Sequence, residues 1–292
     1  MNFFAWLGSL LKRQKPFTLQ ENQISNSIDQ NIKQTVPTPS LTLHSLDQKQ
    51  DSFFITQRSD FVQDGILKEK TIKDVFDFAY KMAFSDEGEH RDKRSGGSHH
   101  RKPGEIFANT FQGKIAECAA CNFFHKHNYD KTVFPDFSVF KLGKWDSVDI
   151  TACDNEIAVK STKSFGQLIL LETKDWDSNG HYIPNIENGI SKYDCLMLIR
   201  IKPSCEEILK DHRLLYSYTA DYEKLYSIIS EHSWSYNYAG FITYDDLLQI
   251  IHTQQVLPKG SKLNGKTVMD AENYYIQAGD LRKMETFEEV YL

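Results

Sequence analysis

Apolar side chains recur at helical spacing in two stretches of the first half of the chain. After an N-cap at Thr71, the residues Ile72, Val75, Phe76, Ala79, Met82 and Ala83 fall on one face and predict a core helix. From Glu105 to His125 the series Phe107, Phe111, Ile115, Cys118 and Phe123 keeps the same period. On that second helix Gly113, Glu117 and Cys121 lie four apart and share a face, so the glutamate stands among small residues where another element can approach.

The pattern then changes to strands. Residues 133–140 are apolar or alternating, and 148–153 and 156–162 flank Asp154-Asn155, two residue types that tolerate positive φ and suit a two-residue hairpin turn. Residues 167–171 form another strand, ending at Glu172-Thr173-Lys174-Asp175, and 195–201 are apolar enough to be central in a sheet. Beyond them 214–229 and the stretch after the Thr243 N-cap are helical, and the tail is less regular. A helix, a run of strands, another strand and more helices predict an α/β fold, a mixed central β-sheet flanked by helices.

The ends and the charge refine this reading. Residues 1–50 divide into a short amphipathic stretch up to about residue 14 and a Gln, Asn, Ser, Thr and Pro-rich linker, which leaves 51–292 as the folded domain, with a core at about 100–202 and a helical C-terminal part. A chain of 292 residues, 40% hydrophobic and 13% aromatic, fills a real core. No run of 18 apolar residues is present and no basic residue precedes the opening Phe3-Phe4-Ala5-Trp6-Leu7, so the expected location is the cytoplasm. Five cysteines do not read as a disulfide framework, and Cys118-x-x-Cys121 with His125 and His127 lacks the second pair of a zinc finger. The net charge of −6 gives no general attraction for a polyanion. One local concentration runs against it: Arg91, Lys93, Arg94, His99, His100, Arg101 and Lys102 surround a Gly96-Gly97 hinge. Charge alone does not separate a solvated loop from a phosphate-contacting one.

The chemistry concentrates on the hairpin. With Asp154-Asn155 as the turn, Asp149 opposes Lys160 and Thr151 opposes Ala158, so these four share one polar face, while Val148, Ile150, Ile157 and Val159 fill the other. An acid and an amine about 5 Å apart across two strands make an ordinary ion pair. Their company argues for more: Glu117 on a helix with an open face, the basic segment, and the cluster at Glu172.

A strand aspartate, a turn, and a strand reading Glu156-Ile157-Ala158-Val159-Lys160-Ser161-Thr162, preceded by the helix Gln112-Gly113-Lys114-Ile115-Ala116-Glu117, resembles the PD-(D/E)xK nuclease superfamily, which includes most type II restriction endonucleases. The resemblance covers about residues 100–202 and implies a Mg²⁺-dependent endonuclease acting on double-stranded DNA. It makes Asp149 the first metal ligand, Val159 a ligand through its carbonyl, Lys160 the catalytic lysine and Glu117 an auxiliary carboxylate. It makes Lys163 and the basic residues between 91 and 102 the DNA contacts. Cutting two antiparallel strands implies a homodimer, and a restriction system implies a cognate DNA methyltransferase.

The departure is at Ala158, where the pattern has an acid. A methyl group cannot coordinate a hard cation, so the chain reads as an inactivated version of the enzyme. Glu156, about 7 Å further along the strand, and Glu172 are the candidates for a migrated acid. Two other readings follow from the same residues: a non-catalytic DNA-binding protein on a nuclease fold, and a nuclease toxin or defence effector tethered by residues 1–50.

Overall fold

Every residue from Cys195 to Ile201 is buried, and a strand buried on both faces must lie inside a sheet with a layer on each side. In the computed structural model, which describes residues 39–85, 101–137 and 148–292, that is its position. The chain begins with β1 (Asp47–Lys49), β2 (Ser52–Phe54), β3 (Gly65–Ile66), α1 (Glu69–Phe84) and α2 (Pro103–Lys126). It continues through β4 (Ile150–Ala152), β5 (Asn155–Lys163), β6 (Leu168–Glu172), β7 (Cys195–Lys202), α3 (Cys205–Asp211) and α4 (Tyr222–Ser230). It ends with β8 (Ser235–Thr243), α5 (Tyr244–His252), β9 (Val256–Leu257), β10 (Lys262–Leu263), β11 (Thr267–Val268), β12 (Asn273–Gln277) and α6 (Phe287–Tyr291).

The central sheet has the order β3-β8-β7-β5-β4. It is mixed: β4 and β5 are antiparallel, β5 and β7 parallel, and β7 and β8 antiparallel. Side chains alternate between two cores. Ile157, Met197 and Ile199 join Phe76, Phe107, Phe111 and Ile115 of α1 and α2 on one side. Ala158, Leu196 and Leu198 join Ile169 and Leu171 of β6, Ile276 of β12 and Leu247 of α5 on the other. The mixed, helix-flanked sheet expected from the sequence is therefore present.

Several expectations change. β6 does not extend the central sheet; it pairs antiparallel with β12 in a second sheet, β6-β12-β9, that covers the face of β5 expected to be polar. The C-terminal part is not mainly helical, because β8 pairs along the whole length of β7 and β9–β12 follow. Residues of the expected linker also pack with the domain: the His44 backbone N–H donates to Asp280 at 3.0 Å and Leu46 is buried. The first helix is capped at Lys68, not Thr71. Residues 214–221 stay non-helical because the start of α2 packs on them: Gly104 N–H donates to Ser217 O at 3.1 Å. Residues 133–137 form no strand, and the rest of the strand expected there lies outside the described residues. Among the described residues no helix is long and apolar enough to cross a membrane.

The Thr243 cap is built as its sequence suggests. Thr243 Oγ1 accepts the Asp246 N–H at 3.2 Å and Asp246 Oδ2 accepts the Thr243 N–H at 2.9 Å. The same buried carboxylate receives Arg282 Nε at 2.7 Å and Nη2 at 2.8 Å, tying α5 to the tail. Removing one member of a buried charge pair strands the other. Asp246→Ala is expected to cost about 3 kcal/mol and Thr243→Ala about 1 kcal/mol, both measured by urea denaturation.

Candidate functional site

The hairpin turns one residue earlier than its sequence suggests. Cys153 (φ 51°) and Asp154 (φ 60°) are its two left-handed residues, and Asn155 already pairs with Ala152. Two contacts favour this turn. Asn155 Nδ2 donates to Cys153 O at 2.7 Å, and the Asp194 carboxylate, beside the start of β7, takes the Glu156 N–H at 2.9 Å. Ile150 then pairs with Ile157 and Thr151 with Glu156. The register moves by two residues, so parity is kept, but the opposing pairs change: continued one step past Ile150, the ladder sets Asp149 against Ala158 rather than Lys160.

Asp149 does not project from the sheet face. Its Oδ2 accepts the Val159 N–H at 2.7 Å, which places the carboxylate along the edge of β5 where β4 has ended. The N–H and C=O of a strand residue point to the same side, so the Val159 carbonyl faces this edge as well. Val148, expected to share a face with Ile150, instead packs with Ala158 in the second core, because the chain bends at Asp149.

Ala158 is 1% exposed, in a cluster with Val148, Leu171, Trp176 and Leu196. Lys160 lies on the same side of β5, half-buried, opposite Leu198. Among the described residues no ion pair joins Asp149 to Lys160, which corrects the cross-strand pair expected from the earlier register. Thr151 is exposed and donates to Glu156 Oε2 at 2.9 Å, so Glu156 is engaged at the turn end of the hairpin. Glu172 ends β6 in the second sheet, 3.8 Å from the Lys174 ammonium.

Glu117 has a different setting. It forms a nearly buried ion pair with Lys114 one turn earlier. The Lys114 ammonium also donates to Asp136 O at 2.8 Å and sits 5.0 Å above the Phe78 ring of α1. Phe78 of α1 thus packs beside Lys114, and Glu117 already has a cation. Asp149 and the Val159 backbone are brought together; Glu117 answers to Lys114.

This donor set does not fit Mg²⁺ in the chain as written. A hard divalent cation wants several oxygen ligands, usually more than one of them a carboxylate. Here one carboxylate and one carbonyl meet a methyl group and an apolar wall. Among the described residues no group of three or more His, Cys, Asp or Glu side chains is arranged to hold a metal.

Of the expected DNA contacts, Arg91, Lys93, Arg94, His99 and His100 lie outside the described residues. Arg101 and Lys102 stand at the start of α2. Lys163 is bound to acids, 3.2 Å from Glu206 and 3.6 Å from Glu207 in the first turn of α3, so its charge is already matched within the chain.

Arg200 escaped the sequence reading. It is fully buried in β7 opposite Thr162 and Asn237, and its guanidinium is held by the carbonyl and hydroxyl of Ser59. A lone arginine inside an apolar strand run was the available signal. No family model, curated protein or solved structure matches this chain.

Cys118 and Cys121 are buried on α2, where desolvation pushes the Cys121 thiol up to about 12 and the Cys118 thiol higher still. Both are therefore neutral thiols in the metal-free chain at neutral pH. In native protein at pH 8, alkylation followed by mass spectrometry is expected to modify Cys153, the half-exposed cysteine, and to reach Cys118, Cys121, Cys195 and Cys205 only after denaturation.

Proposed function

We propose that this chain carries the hairpin of a DNA endonuclease of the PD-(D/E)xK, restriction-enzyme type, disabled at Ala158, and that as written it binds double-stranded DNA without cutting it. The observation that carries this reading is the Asp149 carboxylate on the Val159 N–H at 2.7 Å. It brings an acid and a main-chain carbonyl to one strand edge, beside position 158 and next to a half-buried lysine. Phosphodiester hydrolysis calls for that group: oxygen donors that gather positive charge around the developing negative charge, with an amine alongside.

The chain's own residues support binding and orientation. Asp149 is fixed by a backbone donor, so it does not need to reorganise when a ligand arrives. Lys160 projects from the adjacent part of β5 with no carboxylate neutralising it among the described residues, and offers its charge to a phosphate oxygen. The reading goes with a cytoplasmic homodimer placing two such hairpins on the two strands, and with a methyltransferase partner in the same system.

The apolar packing around Ala158 favours a second reading, a DNA-binding protein that never cut. The two differ in one experiment. Ala158→Asp is expected to gain Mg²⁺-dependent cleavage of duplex DNA, and Lys160→Ala in that background to remove it. Cleavage is read by gel on plasmid substrate, and a folded Ala158→Asp variant that stays inert decides for the second reading.

A further inference from the structure

Tyr216 and Tyr218 are 56% and 71% exposed, although the sequence places them in a tyrosine series with Tyr222 and Tyr226. The structure divides that series. Tyr222 and Tyr226 lie on α4 and pack edge-on against Phe76 of α1. Tyr216 and Tyr218 lie on the loop before α4 and face solvent.

That loop is firmly held. Leu214 and Leu215 both donate their N–H to Leu209 O, at 2.7 and 3.2 Å. Ser217 accepts the Gly104 N–H at its carbonyl, and its hydroxyl donates to Thr219 O at 2.5 Å. The contact with α2 is so close that a Cβ on Gly104 would stand 2.1 Å from Leu214 O. Two large rings are therefore displayed on fixed backbone at the cost of leaving apolar area in water.

Beside them stands Lys102, whose ammonium lies 5.3 Å over the Tyr218 ring. Glu105 Oε2 accepts the Lys102 backbone N–H at 2.9 Å, but among the described residues no carboxylate forms an ion pair with the Lys102 ammonium. Lys163 near Phe165 is the instructive contrast, since Glu206 and Glu207 neutralise it. Lys102 also closes the most basic stretch of the sequence, residues 91–102.

We propose that Lys102, Tyr216 and Tyr218 form a contact surface for the sugar–phosphate backbone of duplex DNA, an inference that rests on the DNA-binding reading above. Lys102 meets a phosphate by charge, the tyrosine hydroxyls donate to phosphate oxygens, and the rings pack on deoxyribose. Such contacts set position and affinity but read no sequence.

The test is fluorescence anisotropy with a labelled 20-base-pair duplex, at several salt concentrations and in two unrelated sequences, without divalent metal. Tyr218→Ala and Lys102→Gln are each expected to weaken binding about fivefold, equally on both duplexes. Lys102→Gln is expected to reduce the salt slope by about one. Tyr218→Phe separates hydroxyl from ring and is expected to fall between wild type and Tyr218→Ala. Wild-type binding that all three variants retain, with the same slope, overturns the surface and leaves the DNA-binding reading standing. Loss on one duplex only also overturns it, because that is base readout. No salt-dependent binding by the wild-type chain overturns both.

Discussion

The hydrogen bond from the Val159 N–H to the Asp149 carboxylate decides what the hairpin can do. β4 is short, and past Ile150 the edge of β5 has no strand partner among the described residues. An unpaired strand N–H needs an acceptor, and Asp149 supplies one from the last residue before β4. This fixes the acid in the plane of the sheet, beside the main chain of residues 158–160. A carboxylate projecting from the sheet face would have met the second core, where Trp176 and Leu171 leave no room for unpaired charge.

That second core is the other main constraint. β5 and β7 run parallel, and the chain joining them carries β6 into a separate sheet that packs over the face they share. The face was therefore sealed where the sequence suggested a polar one. Ala158 suits this environment in a way that a lone carboxylate would not. An acid at 158 would need a compensating cation at the strand edge, so position 158 couples packing to chemistry.

Legibility in the sequence followed range. The α2 period, the apolar run that opens β7 and the Thr243 cap are local, and each is where its residues suggest. The hairpin was legible in kind and in parity, but the turn moved to Cys153-Asp154 because Asp194 and β7 dictate where β5 begins, and those contacts come from about forty residues away in the chain. The role of Glu117 was hidden for the same reason. Its helix and its i,i+3 partner Lys114 were local and readable, but the Phe78 ring and the Asp136 carbonyl that hold the Lys114 ammonium in place depend on tertiary packing. β8 and β12 were missed because tyrosines and asparagines dilute their alternation, and the buried Arg200 lay within a run read only for its apolar neighbours.

The central claim is that Asp149 and the Val159 carbonyl form a cation site lacking only an acid at 158. Isothermal titration of Mg²⁺ into three proteins, without DNA, tests it most directly: the wild-type chain, Ala158→Asp, and Ala158→Asp combined with Asp149→Asn. The account predicts saturable binding by Ala158→Asp alone. Binding that survives the loss of the Asp149 charge, or a well-folded Ala158→Asp that takes up no Mg²⁺, would contradict it.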